Sequence, residues 1–90
     1  MAERWLMIAG RPVAVRARAA EMFRAGLAAL GAQQVGRQYY WQHGGDVYIL
    51  NREAILAAGA ASLAGLPEKE WIPAWRAQFP LRKLIIRRKP

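Results

Sequence analysis

His43 is the only histidine of this 90-residue chain and Ser62 its only serine, and neither threonine nor cysteine occurs. A hydrolytic triad could therefore be drawn only from Ser62, His43 and an acid such as Asp46. That chemistry needs an exposed nucleophile beside its base, whereas Ser62 falls inside an alanine-rich helical stretch, where it is expected to face a neighbour. His43-Gly44-Gly45-Asp46 brings one imidazole and one carboxylate together, too few for a protein metal site of the usual three or four ligands. The two glycines suit a turn with positive φ, and Asp46 suits a turn hydrogen bond. The missing cysteines exclude disulfides, thiolate metal sites and cysteine nucleophiles. Neither Gly-x-x-x-x-Gly-Lys nor Gly-x-Gly-x-x-Gly occurs, so no phosphate-cradling loop is expected. Glu68, Lys69 and Glu70 read as a solvated cluster of mixed charge. A protein without enzymatic activity, metal or cofactor is expected.

Charge points instead to binding. The net charge is +8, and it is concentrated at the two ends. Residues 1–37 carry Arg4, Arg11, Arg16, Arg18, Arg24 and Arg37 against Glu3 and Glu21. Residues 82–90 carry Arg82, Lys83, Arg87, Arg88 and Lys89 with no acid, while the stretch between is slightly acidic. Such a segment favours a polyanionic or acidic partner. Those five terminal cations could neutralise about five phosphates, which corresponds to a log–log salt slope near −4 to −5 on duplex DNA. The structural alternative is an edge strand that its charges protect from sheet-to-sheet aggregation.

The aromatic residues are the second candidate. Tyr39 and Trp41 share one face of a strand and Tyr40 the other. Two helices can cover only one face of a sheet. The other face then exposes Tyr, Trp and Met side chains, unless the segment from Trp71 to Phe79 or a second chain covers it. Exposed aromatics beside arginine can stack on bases. They are also the residue types that anchor protein interfaces. The other reading is that Trp71, Trp75 and Phe79 fold back as a further core layer.

These residues need elements to position them. Trp5 to Ala9 is a short apolar run that ends in Gly10-Arg11-Pro12, which predicts a strand. Val13, Val15 and Ala17 alternate with Ala14, Arg16 and Arg18, which favours a second strand in a hairpin, although Pro12 also suits the first position of a helix. Phe23, Leu27 and Leu30 predict a helix from Ala19 to Leu30, with Gly31 as its stop. Gly26, in mid-helix, costs about 1 kcal/mol relative to alanine and marks close packing. Gln38–Gln42 and Asp46–Leu50 form a hairpin across the glycine turn. Asn51 caps a helix from Arg52 to about Ala64. Ile55, Leu56, Leu63 and Leu66 mark its apolar stripe, and its run of alanine and glycine makes it thin enough for a neighbour to approach its backbone or for a homodimer to form. Residues 67–80 read as irregular, with a short helix from Pro73 to Phe79, and Leu81 to Arg88 as a final strand.

The expected fold is a single α+β domain over residues 1–90: a mainly antiparallel sheet with two helices on one face and a basic segment at 81–90. If residues 13–16 were helical, the order would become the β-α-β-β-α-β of ferredoxin-like domains. Alanine makes up about one residue in five, so Trp5, Phe23, Leu27, Leu30, Ile49, Leu50, Ile55, Leu56, Leu63 and Trp71 are expected to carry the core. The longest uncharged run, Ala54 to Pro67, is 14 residues, short of the roughly 20 needed for a membrane span. No signal-peptide core is evident, and a cytoplasmic, non-membrane protein is expected.

Two functions follow as expectations. In the first, Arg82, Lys83, Arg87, Arg88 and Lys89, with Arg16 and Arg18, contact the phosphates of a nucleic acid, and Tyr39, Tyr40 or Trp41 stack on its bases. In the second, Trp, Tyr and Arg anchors bind an acidic protein surface and regulate or inhibit a larger machine. In size and composition, though in no motif or alignable segment, the chain resembles the small non-catalytic proteins of bacterial viruses and mobile elements.

Overall fold

The computed structural model describes residues 4–8 and 10–85. Strands β1 (Arg4–Ile8) and β2 (Arg11–Val15) pair as an antiparallel ribbon, with Leu6 opposite Val13 and Ile8 opposite Arg11. Residues 13–15 thus take the extended alternative, as their alternation of β-branched side chains favours, and the ferredoxin-like order is not adopted. Helix α1 (Ala19–Leu30) follows and ends at Gly31, which adopts φ 63°. Strands β3 (Gln33–Val35), β4 (Gln38–His43) and β5 (Asp46–Leu50) come next. Gly44 and Gly45, at φ 60° and 84°, make the turn between β4 and β5, which matches the turn read from the sequence. In helix α2 (Arg52–Leu63), the Ala54 N–H donates to the Asn51 side chain at 2.8 Å, the expected cap.

The segment read as irregular with a short helix from Pro73 to Phe79 is a longer third helix, α3 (Glu68–Gln78), which begins five residues earlier. Pro67 stands at its N-cap, and Glu68 and Glu70 occupy its first turn, where they complement the helix dipole. Pro73 removes one amide donor from the helix, but it and Lys69, four residues earlier, are both exposed, so water can satisfy the freed carbonyl. The last strand, β6 (Arg82–Lys83), is much shorter than the predicted 81–88. Beyond it the Leu84 N–H still donates to the Val47 carbonyl at 2.7 Å, and residues 86–88 lie outside the described residues. The described chain is therefore α+β, with three helices and six strands in two antiparallel sheets, β1-β2 and β3-β4-β5-β6. No described helix is long and apolar enough to cross a membrane.

The packing of α1 against α2 explains the glycines. A Cβ on Gly26 would collide with the Ile55 carbonyl, and a Cβ on Gly59 would collide with the Met22 carbonyl. Each helix thus lays a backbone carbonyl into the gap left by the other's glycine, and the two crossings are reciprocal. The buried side of α1 is consequently Met22, Gly26 and Leu30, and the predicted Phe23 and Leu27 stand half-buried beside it. On α2 the buried residues are Ala54, Ile55, Ala58, Gly59, Ala60 and Ala61. The small-residue surface that sequence offered for a homodimer is therefore covered within the chain. Leu63, expected in the core, is 49% exposed.

Helix α3 completes the core with tryptophan. Trp71 and Trp75 are buried, and their rings meet edge to face at 5.9 Å. The Trp75 indole N–H donates to the Ala54 carbonyl at 2.8 Å, which satisfies a buried donor that would otherwise destabilise the fold. Trp75 also meets Trp41 of β4 edge to face at 5.1 Å. The folded-back core layer read from Trp71, Trp75 and Phe79 is thus present. Trp5 is not part of it. Leu6 and Ile8 turn inward from β1, so strand alternation sends Trp5 and Met7 outward, 67% and 60% exposed.

Alanine in place of an ordinary helical glycine stabilises by about 1 kcal/mol. Gly26→Ala and Gly59→Ala are expected to do the reverse, each costing about 1–3 kcal/mol through overpacking. Urea denaturation checks this as a lower midpoint at unchanged slope.

Candidate functional site

Strand register sorts the four-stranded sheet into two faces. Tyr39 pairs with Leu50, Tyr40 with Ile49, Trp41 with Tyr48, and Gln42 with Val47. Alternation then places Tyr39, Trp41, Tyr48 and Leu50 on one face and Gln38, Tyr40, Gln42, Val47 and Ile49 on the other. The helices take the first face. Phe23 of α1 meets Tyr39 edge to face at 5.2 Å, and Trp75 of α3 meets Trp41. The Arg76 guanidinium lies over the Tyr48 ring at 4.6 Å and the Trp41 ring at 5.8 Å, a pair of cation–π contacts that seals this edge of the core.

No described helix lies on the second face. Gln33 pairs with Tyr40, Tyr40 with Ile49, and Ile49 with Arg82. One row therefore crosses all four strands in the order amide, phenol, isoleucine, guanidinium. Adjacent strands lie about 4.8 Å apart, so Tyr40 and Arg82 are separated by about 10 Å. Gln38, Tyr40, Ile49 and Arg82 line an open depression on one side of the tyrosine. Gln33, Gln42 and Val47 line a second one with Tyr40 on its other side. Tyr40, Val47 and Ile49 are half-buried, whereas Gln33, Gln38, Gln42 and Arg82 are exposed. Among the described residues no carboxylate belongs to this face: Asp46, opposite His43, lies on the helix side.

The sequence-predicted residues divide accordingly. Tyr40 and Arg82 come together in one row. Trp41 is 3% exposed beneath α3 and cannot receive a base. Tyr39 is committed to Phe23. Lys83 sits opposite Tyr48 on the helix side and pairs with Asp46 at 3.3 Å, so its charge is partly offset. The carboxylate expected to serve the turn is thus engaged by a lysine. Arg16 and Arg18 are exposed in the link between β2 and α1 and do not belong to the four-stranded sheet. Arg87, Arg88 and Lys89 lie outside the described residues. Sequence reasoning missed Gln33, Gln38 and Gln42, yet the Gln-Tyr-Gln alternation at 38, 40 and 42 is the pattern of a solvent-facing strand side.

The His43 ring stacks on Trp41 at 4.4 Å. Among the described residues no three His, Asp or Glu side chains gather as a metal site would require. Ser62 is exposed near the end of α2, away from the neighbour-facing position expected of it. Comparison with protein-family models, with curated proteins and with solved structures finds no match for this chain. Function must therefore be read from the residues themselves.

Trp5 is 67% exposed, whereas Trp41, Trp71 and Trp75 are 4% exposed or less. Acrylamide quenching of tryptophan fluorescence is expected to resolve one accessible component, and Trp5→Phe is expected to remove it. A quenchable component that survives in that variant would mean that Trp41 is open to solvent after all.

Proposed function

We propose that this chain is a small basic, non-catalytic protein that binds single-stranded nucleic acid on the open face of its four-stranded sheet. The observation that carries this reading is the cross-strand row in which a half-buried tyrosine shares a face with an exposed arginine and, among the described residues, with no carboxylate. A base can stack on Tyr40 while Arg82 neutralises a neighbouring phosphate. Stacking of this kind requires unpaired bases, because in a duplex the ring faces are covered. The terminal cations Arg87, Arg88 and Lys89 add attraction for phosphate without sequence preference. Arg37, exposed in the turn between β3 and β4, adds a further charge at this sheet.

A second reading rests on a different observation. Trp5, Met7 and Pro12 make an exposed apolar surface on the outward side of the β1-β2 ribbon. Aromatic and methionine side chains of this kind anchor protein partners, and the basic character of the chain suits an acidic one. In that reading the protein regulates or inhibits a larger assembly, and Trp5→Ala abolishes the effect while Tyr40→Ala leaves it intact.

Fluorescence anisotropy with a labelled single-stranded 12-mer across a salt series tests the first reading. Tyr40→Ala is expected to weaken binding by about 1–3 kcal/mol, the worth of one stacked base, with the fold unchanged by circular dichroism. Each cation removed from contact is expected to flatten the single-strand salt slope by about 0.7. Arg82→Ala should therefore show one such step, and a chain lacking residues 87–90 a loss of about 2. Failure of the folded protein to bind at low salt would sink the proposal.

A further inference from the structure

Strand β3 is a free edge of the four-stranded sheet. The other outer strands of the described chain carry residues that discourage pairing with a further strand. β1 opens on Arg4, β2 holds Arg11 and Pro12, and β6 is Arg82-Lys83. β3 is Gln33-Gln34-Val35, without charge or proline and exposed at all three positions. Its ladder fixes which backbone groups are left over. Val35 and Gln38 close the two-residue turn at Gly36 and Arg37, and the pair that closes such a turn is hydrogen-bonded. The next pair, Gln34 and Tyr39, is by alternation not hydrogen-bonded. The N–H and C=O of Gln34 therefore point away from β4, out of the sheet edge.

An edge that faces outward at its central residue is complementary to itself. A second copy can pair with it antiparallel about a two-fold axis through Gln34. Gln34 then exchanges both hydrogen bonds with its counterpart, and Gln33 stands opposite Val35. No like charges meet in that register. The axis is perpendicular to the sheet, so the two open faces look the same way and join. Three strand spacings of about 4.8 Å and two residues along the strand put the two Tyr40 Cα positions about 16 Å apart. About five nucleotides cover that distance even at the duplex rise of about 3.4 Å each. The contact is small, and the net charge of +8 on each copy opposes it. A strand gripped by both copies supplies the missing proximity and offsets the charge. We infer that two copies of this chain bind side by side on one nucleic-acid strand, paired edge to edge through β3, and so build one continuous face with two stacking tyrosines. This rests on the proposed binding of single strands through Tyr40 and adds to it the second copy that extends the site.

Sedimentation velocity of the full chain with a labelled single-stranded 12-mer tests the inference, read as the ratio of the second binding constant to the first after statistical correction. The second copy is expected to bind about tenfold more tightly than the first, within the usual range for coupled sites. Gln34→Lys and Gln34→Glu each set like charges opposite one another across the axis. Each is expected to lower the ratio to about one, the value for independent sites. An equimolar mixture of the two variants sets opposite charges there and is expected to raise the ratio again. Restoration by mixing separates the contact between copies from any effect on the turn, whose Gly36 carbonyl the Gln34 side chain bonds at 3.1 Å. Position 34 is exposed, so the fold is expected to tolerate both substitutions. Independent binding of two unaltered copies, or a complex that never exceeds one copy per strand, would overturn the inference and leave single-strand binding standing. A ratio that both charge variants keep, or that their mixture does not raise, would overturn it as well, because the coupling would then arise away from β3. No binding of the 12-mer by the folded protein would overturn the inference and the proposed function together.

Discussion

The reciprocal contact between Gly26 and Gly59 is the constraint on which the rest of the molecule depends. Each glycine accepts a backbone carbonyl from the facing helix, so α1 and α2 meet backbone to backbone. Close approach lets small side chains fill the remaining space. Ala54, Ala58, Ala60 and Ala61 are essentially inaccessible to solvent although each contributes little area. Helices held this close are also fixed in their rotation about their own axes. That rotation points the Ala54 carbonyl at the Trp75 indole, and α3 is thereby tied both to α2 and, through the Trp41–Trp75 edge-to-face contact, to the sheet.

The distribution of surfaces follows from this. Phe23 of α1 and Trp75 and Arg76 of α3 all reach the face that carries Tyr39, Trp41 and Tyr48, and no described helix is left for the opposite face. Strand alternation then does the rest. The aromatic triplet of β4 is split, with two rings inside and Tyr40 outside, flanked by glutamines instead of aliphatic residues. The same geometry parts the paired basic residues of β6, so that Lys83 meets Asp46 while Arg82 joins the open row. The functional reading therefore depends on a packing event between two helices that contribute no residue to the proposed site.

Much of this was legible in the sequence, and the missing parts have physical causes. The central hairpin followed from its glycine turn and β-branched runs, and α2 from its asparagine cap. Gly26 signalled a close approach and the alanine-glycine run of α2 a thin helix, but nothing in that run singled out Gly59 as the residue that faces it. Helix α3 was only partly visible because Pro67 read as the close of α2 and Pro73 as the first residue of a short helix, which put its start five residues late. Pro67 in fact sits at the N-cap, and Pro73 sits on the exposed side, where the lost bond is cheap. The core assignment failed at Trp5 because β1 is apolar on both faces, and the positions of α2 and α3 decide which face is inward. Likewise, sequence placed Tyr39 and Trp41 opposite Tyr40 but could not say which set the helices would cover. Of the three β4 aromatics only Tyr40 lies on the side without a described helix, in one row with Arg82, whereas Tyr39 and Trp41 face the helices.

The central claim is that the side of the four-stranded sheet without helices is the working surface. The most direct test is a ¹⁵N–¹H chemical-shift titration of the full chain with an unlabelled single-stranded oligonucleotide. Perturbations are expected to concentrate at Gln33, Tyr40, Gln42, Ile49 and Arg82, with the amides of α1 and α2 nearly still. Perturbations confined to the Trp5–Met7 ribbon and to α1, with that row unmoved, would contradict it.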